Sequence, residues 1–141
     1  MEKAKEVGAM HIINGKEQDA VKYIQSLQGG GCDLVYETAG AEFTTLQTAK
    51  MVKKGGAVTL VGMCANSEIT YDIGSLSAAE ARLYTIFRYR NLYPTAIKLV
   101  SQGKIPLKSI VSHVFDFEDI VEGLNYNISN KADVIKGVIK M

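Results

Sequence analysis

Residues 32–40, CDLVYETAG, decide the fold. Leu34-Val35-Tyr36 reads as a short buried strand, and the glycine at 40 marks the exit from that strand toward a helix. The helix that follows has Phe43, Leu46 and Ala49 as its expected inner face. It is expected to end at Lys53-Lys54-Gly55-Gly56, with cations on the last carbonyls followed by glycines able to adopt positive φ. Ala57 to Val61 (AVTLV) is then a second strand, continuous in apolar or β-forming residues as a doubly covered parallel strand should be.

Working outward, the same rhythm extends in both directions. Upstream, Glu2 to Val7 reads as the last turns of a helix closed by Gly8, and His11-Ile12-Ile13-Asn14 as a short strand. After a polar turn, Ala20, Ile24 and Leu27 form one helical stripe, closed by Gly29-Gly30-Gly31. Downstream, Ile69 to Ile73 alternates, Ser75 to Ala81 is rich in small residues, and Leu83 to Phe87 is a further strand candidate. Asn91 is positioned to cap a helix with Pro94 in its first turn, ending at Gly103, with Tyr93, Ala96, Ile97 and Val100 on its inner face. Ile110–Phe117 reads as a strand that hands over to a helix, with Asp119 in the capping-box position and a stripe of Ile120, Leu124 and Ile128. Val134–Met141 is a last strand weakened by Gly137.

Alternating strands and helices with short connections imply an α/β fold with right-handed crossovers over a parallel sheet. The expected architecture is an open parallel sheet with flanking helices, plus a C-terminal strand-helix-strand segment. The expected division is residues 1–90 against 91–141, where the rhythm stops.

Bulk properties narrow the function classes. The chain has 141 residues, 47% hydrophobic and 22% charged, which is ordinary for a globular protein. A formal net charge of +1 gives no electrostatic case for nucleic acid or an anionic membrane. No apolar run approaches the ~20 residues of a bilayer span. Cys32 and Cys64 lack metal or redox spacing and read as reduced, buried residues of a cytoplasmic protein.

In an open parallel sheet, ligands sit outside the carboxyl ends of the strands. That rule selects Asn14, Thr38-Ala39-Gly40, Gly62-Met63-Cys64 and Arg88-Tyr89. Small residues there would let a ligand approach the backbone, though Gly40 and Gly62 equally fit strand-to-helix turns. Arg88 offers a planar charged fork for phosphate or a polarised oxygen, or a surface ion pair. Glu37 is placed to accept a hydrogen bond from a hydroxyl, or to stand in solvent. His11 and His113 fall within strand patterns and read as structural. Gly29-Gly30-Gly31 precedes a strand and so belongs to the rim away from a ligand. There is no G-x-G-x-x-G between a strand and a helix, no zinc-ligand spacing and no nucleophile-base pairing.

Four stretches, KAKEVGAMHIIN, GCDLVYETAG, MVKKGGAVTLVGM and IFRYRNLYPTAIKLVSQGKI, resemble the C-terminal part of zinc-dependent medium-chain dehydrogenases/reductases, in the sorbitol (polyol) dehydrogenase branch. Phe87-Arg88-Tyr89 with Asn91, Tyr93 and Pro94 points to the branch. The pattern formed by Asp33, Val35, Glu37 and Gly40 points to the superfamily. The resemblance runs over essentially the whole chain and implies a piece of a longer enzyme, lacking the zinc domain, the first two Rossmann strands and the glycine fingerprint. The implied reaction is NAD(P)-dependent oxidation of a secondary alcohol to a ketone.

By the same resemblance, Val61, Gly62, Met63, Ile86, Phe87 and Arg88 match the nicotinamide wall, Thr38 the adenosine half, and Arg88 and Tyr89 the polyol site. The implied cofactors are NAD(H), with weak or absent binding by this chain alone, and zinc, for which it holds no ligands. No catalytic residue is carried over, and the chain alone is expected to be inactive.

With the sheet centre missing, the strand at Leu34–Tyr36 is expected to have a bare edge, and the two C-terminal strands to lack partners. In the family, Ile69–Ile73 and the strand near Leu83–Phe87 also help build a subunit interface. The expectation is a homodimer or higher oligomer, or closure of the His11–Asn14 strand onto Leu34–Tyr36. Two other readings stand beside the enzyme fragment: a non-catalytic self-associating interaction module, and a nucleotide-binding regulatory domain. The second of these lacks the phosphate loop it would need.

Overall fold

The computed structural model describes all 141 residues. In chain order the elements are α1 (Glu2–Glu6), α2 (Ala20–Ser26), β1 (Cys32–Glu37), α3 (Glu42–Met51), β2 (Val52–Leu60), α4 (Ile73–Ala78) and β3 (Arg82–Thr85). There follow α5 (Tyr93–Ser101), a 3-10 turn, β4 (His113–Asp116), a second 3-10 turn, α6 (Ile120–Ser129) and β5 (Gly137–Lys140). The protein is α/β, as expected. It separates into two compact units, Ile13–Arg90 on the one hand and Met1–Ile12 with Asn91–Met141 on the other.

The Ile13–Arg90 unit is a three-stranded parallel sheet in the order β1-β2-β3. Its core is Val52, Val58 and Leu76, with Val35, Leu60 and Tyr71 packed around them, and Val58 is fully buried. Val35 and Val58 are register partners and share one face. The other face carries Leu34 and Tyr36, 57% and 61% exposed, and the half-exposed Tyr84.

The start of β2 is irregular. Cys32 pairs with Val52 but Leu34 pairs with Ala57, so two steps along β1 face five along β2 and three residues stand out. Hence α3 ends at Met51, and Lys53–Gly56 belong to the strand rather than to the helix end. Gly55 N–H donates to Ala79 C=O at 2.8 Å, and Lys53 pairs with Asp33 at 2.5 Å.

Helix α3 buries Ala49 as expected but otherwise turns a different face inward. Thr45, Thr48 and Ala49 are buried, whereas Phe43 is exposed. Each threonine spends its hydroxyl locally, Thr45 on Ala41 C=O at 2.9 Å and Thr48 on Thr45 C=O at 2.7 Å. The polar atoms are thereby satisfied and their burial costs little. Tyr71 Oη lies 2.8 Å from Thr48 Oγ1 and joins the helix to the loop before α4.

His11–Asn14 forms no strand and does not close onto β1, which remains an edge. A lone segment has no ladder to satisfy its backbone, and Asn14 turns instead. Its C=O accepts from Glu17 N and Gln18 N, and its Oδ1 from Lys16 N. Asp19 then caps α2, accepting from Lys22 N at 3.1 Å.

In the second unit β4 and β5 pair with each other in parallel, His113 opposite Gly137 through Asp116 opposite Lys140. The expectation that these strands lack partners is corrected: α6 connects them as a compact β-α-β unit. Helix α6 meets the strands through Gly123, where a Cβ would come within 2.8 Å of the Phe115 ring, so the expected stripe of Ile120, Leu124 and Ile128 lies on the exposed side. His113 stacks into an aromatic group with Phe115 and Tyr126. Asn91 does not cap a helix, since α5 starts at Tyr93 with Pro94 in its first turn and Asn91 has φ of 55°, and Asp119 stands at the N-cap of α6 without a side-chain capping bond. Helix α5 buries none of its residues outright. No helix of the chain is long and apolar enough to cross a membrane.

Candidate functional site

The site is built at the carboxyl ends of the three parallel strands. Leu60 pairs with both Glu37 and Thr85, so the residues that follow, Thr38, Val61 and Ile86, leave the sheet side by side. Ile86 N–H donates to Leu60 C=O at 2.9 Å and carries the β2–β3 ladder one step past the last paired residues.

Glu37 ties the first two exits together. It was expected to be solvated or free to receive a ligand hydroxyl; instead it is 4% exposed. Its Oε1 accepts from Ala39 N at 2.9 Å, Gly40 N at 3.0 Å and Thr44 Oγ1 at 2.7 Å. Its backbone C=O accepts from Val61 N at 2.8 Å and Gly62 N at 2.9 Å. One residue thus takes donors from its own exit turn, from the start of α3 and from the exit of β2. The sequence signal was available as an acid at a strand end, a glycine three residues on and a threonine seven residues on.

The glycines at these exits have a packing cause. A Cβ on Gly62 would stand 2.5 Å from Glu37 Oε2, and one on Gly40 would stand 2.6 Å from Met63 C=O. The two turns lie against each other, and Gly40 also has φ of 67°.

Outside this close-packed base stand the other expected residues. Thr38 is exposed immediately after β1. Val61, Met63, Ile86 and Phe87 present exposed apolar side chains, Met63 and Phe87 the most, at 69% and 67%. Arg88 lies over the Phe87 ring, its guanidinium carbon 5.2 Å from the centroid, a cation–π arrangement. Arg88 has φ of 59°, in the left-handed region that non-glycine residues seldom occupy. Tyr89 follows, exposed. Asn14, selected by the same strand-end rule, follows no strand.

Cys32 and Cys64 are free and half-buried rather than buried, with Cys64 Sγ 3.4 Å from Thr45 Oγ1. Gly31 approaches Met51 C=O and Lys53 N, where β2 begins, which is the opposite end of the sheet from the exits.

Apolar side chains beside a cation at parallel strand ends suit a flat, partly charged ring such as a nicotinamide. Zinc does not fit: no three His, Cys, Asp or Glu side chains gather where they could hold a metal ion.

Comparison with known proteins identifies the family. The sequence profile described as zinc-binding dehydrogenase matches residues 1–102. The zinc-type alcohol dehydrogenase-like protein YdjJ of Escherichia coli is 36% identical over 140 residues, and sorbitol dehydrogenase of Bacillus subtilis is 31% identical over 140. These alignments take in 98% and 99% of this chain and 40% of each relative, so the chain spans about two-fifths of their length. Among solved structures, an E. coli oxidoreductase/dehydrogenase of unknown specificity, ECK1772, superimposes with a TM-score of 0.89 at 32% identity, covering 99% of this chain and 41% of that one. Rossmann-type strand exits, the sequence profile and these relatives agree: the chain belongs to the zinc-binding dehydrogenase family.

Proposed function

We propose that this chain is the part of an NAD-dependent polyol dehydrogenase that forms one wall of the nicotinamide and substrate cleft. The observation that supports it most is the alignment of Thr38, Val61–Met63 and Ile86–Arg88 on one rim, with four apolar side chains exposed beside one cation. Val61, Met63, Ile86 and Phe87 pack the ring, Arg88 and Tyr89 reach a hydroxylated substrate, and Thr38 lies toward the adenosine half. A bound nicotinamide supplies the hydride acceptor for oxidation of a secondary alcohol to a ketone. The chain's own share is to orient that ring and exclude water from one side of it. With neither metal ligands nor a pyrophosphate loop, the isolated chain binds the cofactor weakly and does not turn over. It works in the cytoplasm.

The test is to titrate the isotope-labelled chain with nicotinamide mononucleotide and follow its backbone amides. Shifts confined to residues 61–63 and 86–88 are expected. No shifts there at tens of millimolar, an order-of-magnitude ceiling for weak ligands, would overturn the assignment. Turnover of sorbitol or xylitol with NAD by the purified chain would overturn its inactivity.

A second reading is a self-associating module, supported by the open edge of β1 and the bare sheet face bearing Leu34, Tyr36 and Tyr84. The two readings are compatible: the chain forms a homodimer through exposed strand surface. Light scattering that finds a well-folded monomer at tens of micromolar, an order-of-magnitude choice, would count against it.

A further inference from the structure

We propose that the amino end of the three-stranded sheet, opposite the strand exits, carries a second site, which binds a phosphate dianion through Lys50, Lys53 and Lys54. The site does not depend on the nicotinamide reading and is tested apart from it.

A cavity of about 530 Å³ opens where the carboxyl end of α3, the start of β2, α4 and the glycine loop before β1 meet. That volume is within the range of small-molecule sites. Three lysines line it and no acidic side chain does. Lys50 leaves the last turn of α3. Lys53 and Lys54 stand in the irregular start of β2, where one strand gains residues that its partner lacks and side chains are re-aimed. Gly31 is backed against Met51 C=O and Lys53 N, 2.9 and 3.0 Å from the place a Cβ would take, so the glycine loop sits beside the lysines. In that loop Gly30 N–H is spent on Leu27 C=O at 3.0 Å. Gly29, which lines the cavity, has an N–H with no acceptor in the chain.

The positive charge is only partly cancelled. Lys53 is paired with Asp33 at 2.5 Å. Lys50 forms no ion pair, though it attracts Asp72 from a longer distance, and Lys54 forms none. Glu80, just beyond α4, is exposed and does not line the cavity. The last carbonyls of α3 would oppose an anion, but they are covered: Thr48 C=O accepts from Val52 N, and Lys50 C=O from Gln25 Nε2 at 3.0 Å. A concave surface lined by one sign of charge concentrates the opposite ion. Lysine acts as a point charge, so a dianion gains more than a monoanion, and phosphate brings acceptors for the free amide. Ala49, Val52 and Ala78 complete the lining and leave apolar room for an organic group on the phosphate.

The experiment titrates the isotope-labelled chain with inorganic phosphate and, separately, phenyl phosphate, at an ionic strength held constant with chloride. Saturable shifts of the Gly29, Lys53 and Lys54 amides are expected in both arms, while the amides of 61–63 and 86–88 stay in place. Tighter binding of phenyl phosphate identifies an organic phosphate as the ligand, and equal or weaker binding the free ion; both support the site. Lys54→Gln removes one uncommitted charge and is expected to weaken binding about fivefold, the order of one unit charge at close range in water. Lys50→Gln combined with Lys54→Gln is expected to weaken it about twentyfold. Asp33→Asn releases Lys53 and is expected to tighten it about threefold. No saturable shift at these amides by tens of millimolar, an order-of-magnitude ceiling for weak ligands, overturns the proposal. Shifts spread evenly over the exposed lysines of the chain, wild-type affinity in the double variant, or weaker binding by Asp33→Asn also overturn it.

Discussion

Gly62 is a glycine because Glu37 occupies its side: a Cβ added to Gly62 would stand 2.5 Å from Glu37 Oε2, with the backbone of Gly40 closing the same space. The obstacle is largely backbone, which cannot swing aside. Gly62→Ala is therefore expected to destabilise the Ile13–Arg90 unit by about 3 kcal/mol, the upper range for overpacking. Urea unfolding followed by circular dichroism checks this, and an unchanged midpoint would contradict the packing.

Removal of the Glu37 carboxylate should cost more than removal of one of its donors. Glu37→Ala leaves Ala39 N and Gly40 N without their acceptor and Thr44 Oγ1 with Ala41 C=O alone, at 2.9 Å, an expected loss of about 3 kcal/mol. Thr44→Val deletes one donor and is expected to lose about 1 kcal/mol. Paired urea titrations compare the two, and equal losses would mean that Glu37 does not act as a hub.

Asp72 contributes an acid-sensitive element. Its carboxylate accepts from Ser75 N at 2.9 Å and from Ser75 Oγ at 2.7 Å. These bonds, the backbone one first, with Lys50 adding a smaller attraction, hold its pKa below the ordinary aspartate value. A lowered folded-state pKa means stability that is fully present above the unfolded-state value and lost as pH falls through the folded one. Asp72→Asn should thus be less stable than wild type near neutrality, and the gap should close between about pH 5 and about pH 2. Thermal melts across that range test the direction; a gap that widens in acid would contradict it.

The C-terminal unit holds a second crowded glycine. A Cβ on Gly137 would meet Asn127 Oδ1 at 2.5 Å, and the Asn127 amide is held by its own bond to Gly123 C=O at 2.9 Å. Gly137→Ala is expected to cost about 2 kcal/mol, and Asn127→Ala to relieve about 1 kcal/mol of it in a double-mutant cycle. Strict additivity of the two changes would rule the clash out.

Self-association should respond to charge on the bare sheet surface. Leu34→Lys and Tyr36→Lys alter exposed side chains and are expected to leave unfolding within about 0.5 kcal/mol of wild type. Sedimentation should nonetheless shift toward monomer. An unaltered distribution would place any contact elsewhere.

The sequence made the parallel α/β rhythm and the strand exits legible, because β1 and the Ala57–Leu60 part of β2 are runs of β-forming residues bounded by glycine. It misdirected where tertiary context overrode local pattern. Phe43 resembled a core residue, yet Thr45 and Thr48 went inside because their hydroxyls find backbone acceptors one turn back. His11–Asn14 resembled a strand, but a strand exists only with a neighbour. Gly137 resembled a weakness in β5 and proved to be a close contact with Asn127. Glu37 reads as solvated from sequence because its partners, the amides of its own following turn, become visible only when the chain doubles back.

The three surplus residues near the start of β2 loosen one end of the sheet from the other. Lengthening or shortening the chain at Lys53–Gly55 gives up the Gly55–Ala79 bond and the Lys53–Asp33 pair but leaves the exits in register, because pairing restarts at Ala57 opposite Leu34 and runs unbroken to Leu60. Homologous chains could therefore drift in length at this point while every exit residue keeps its place.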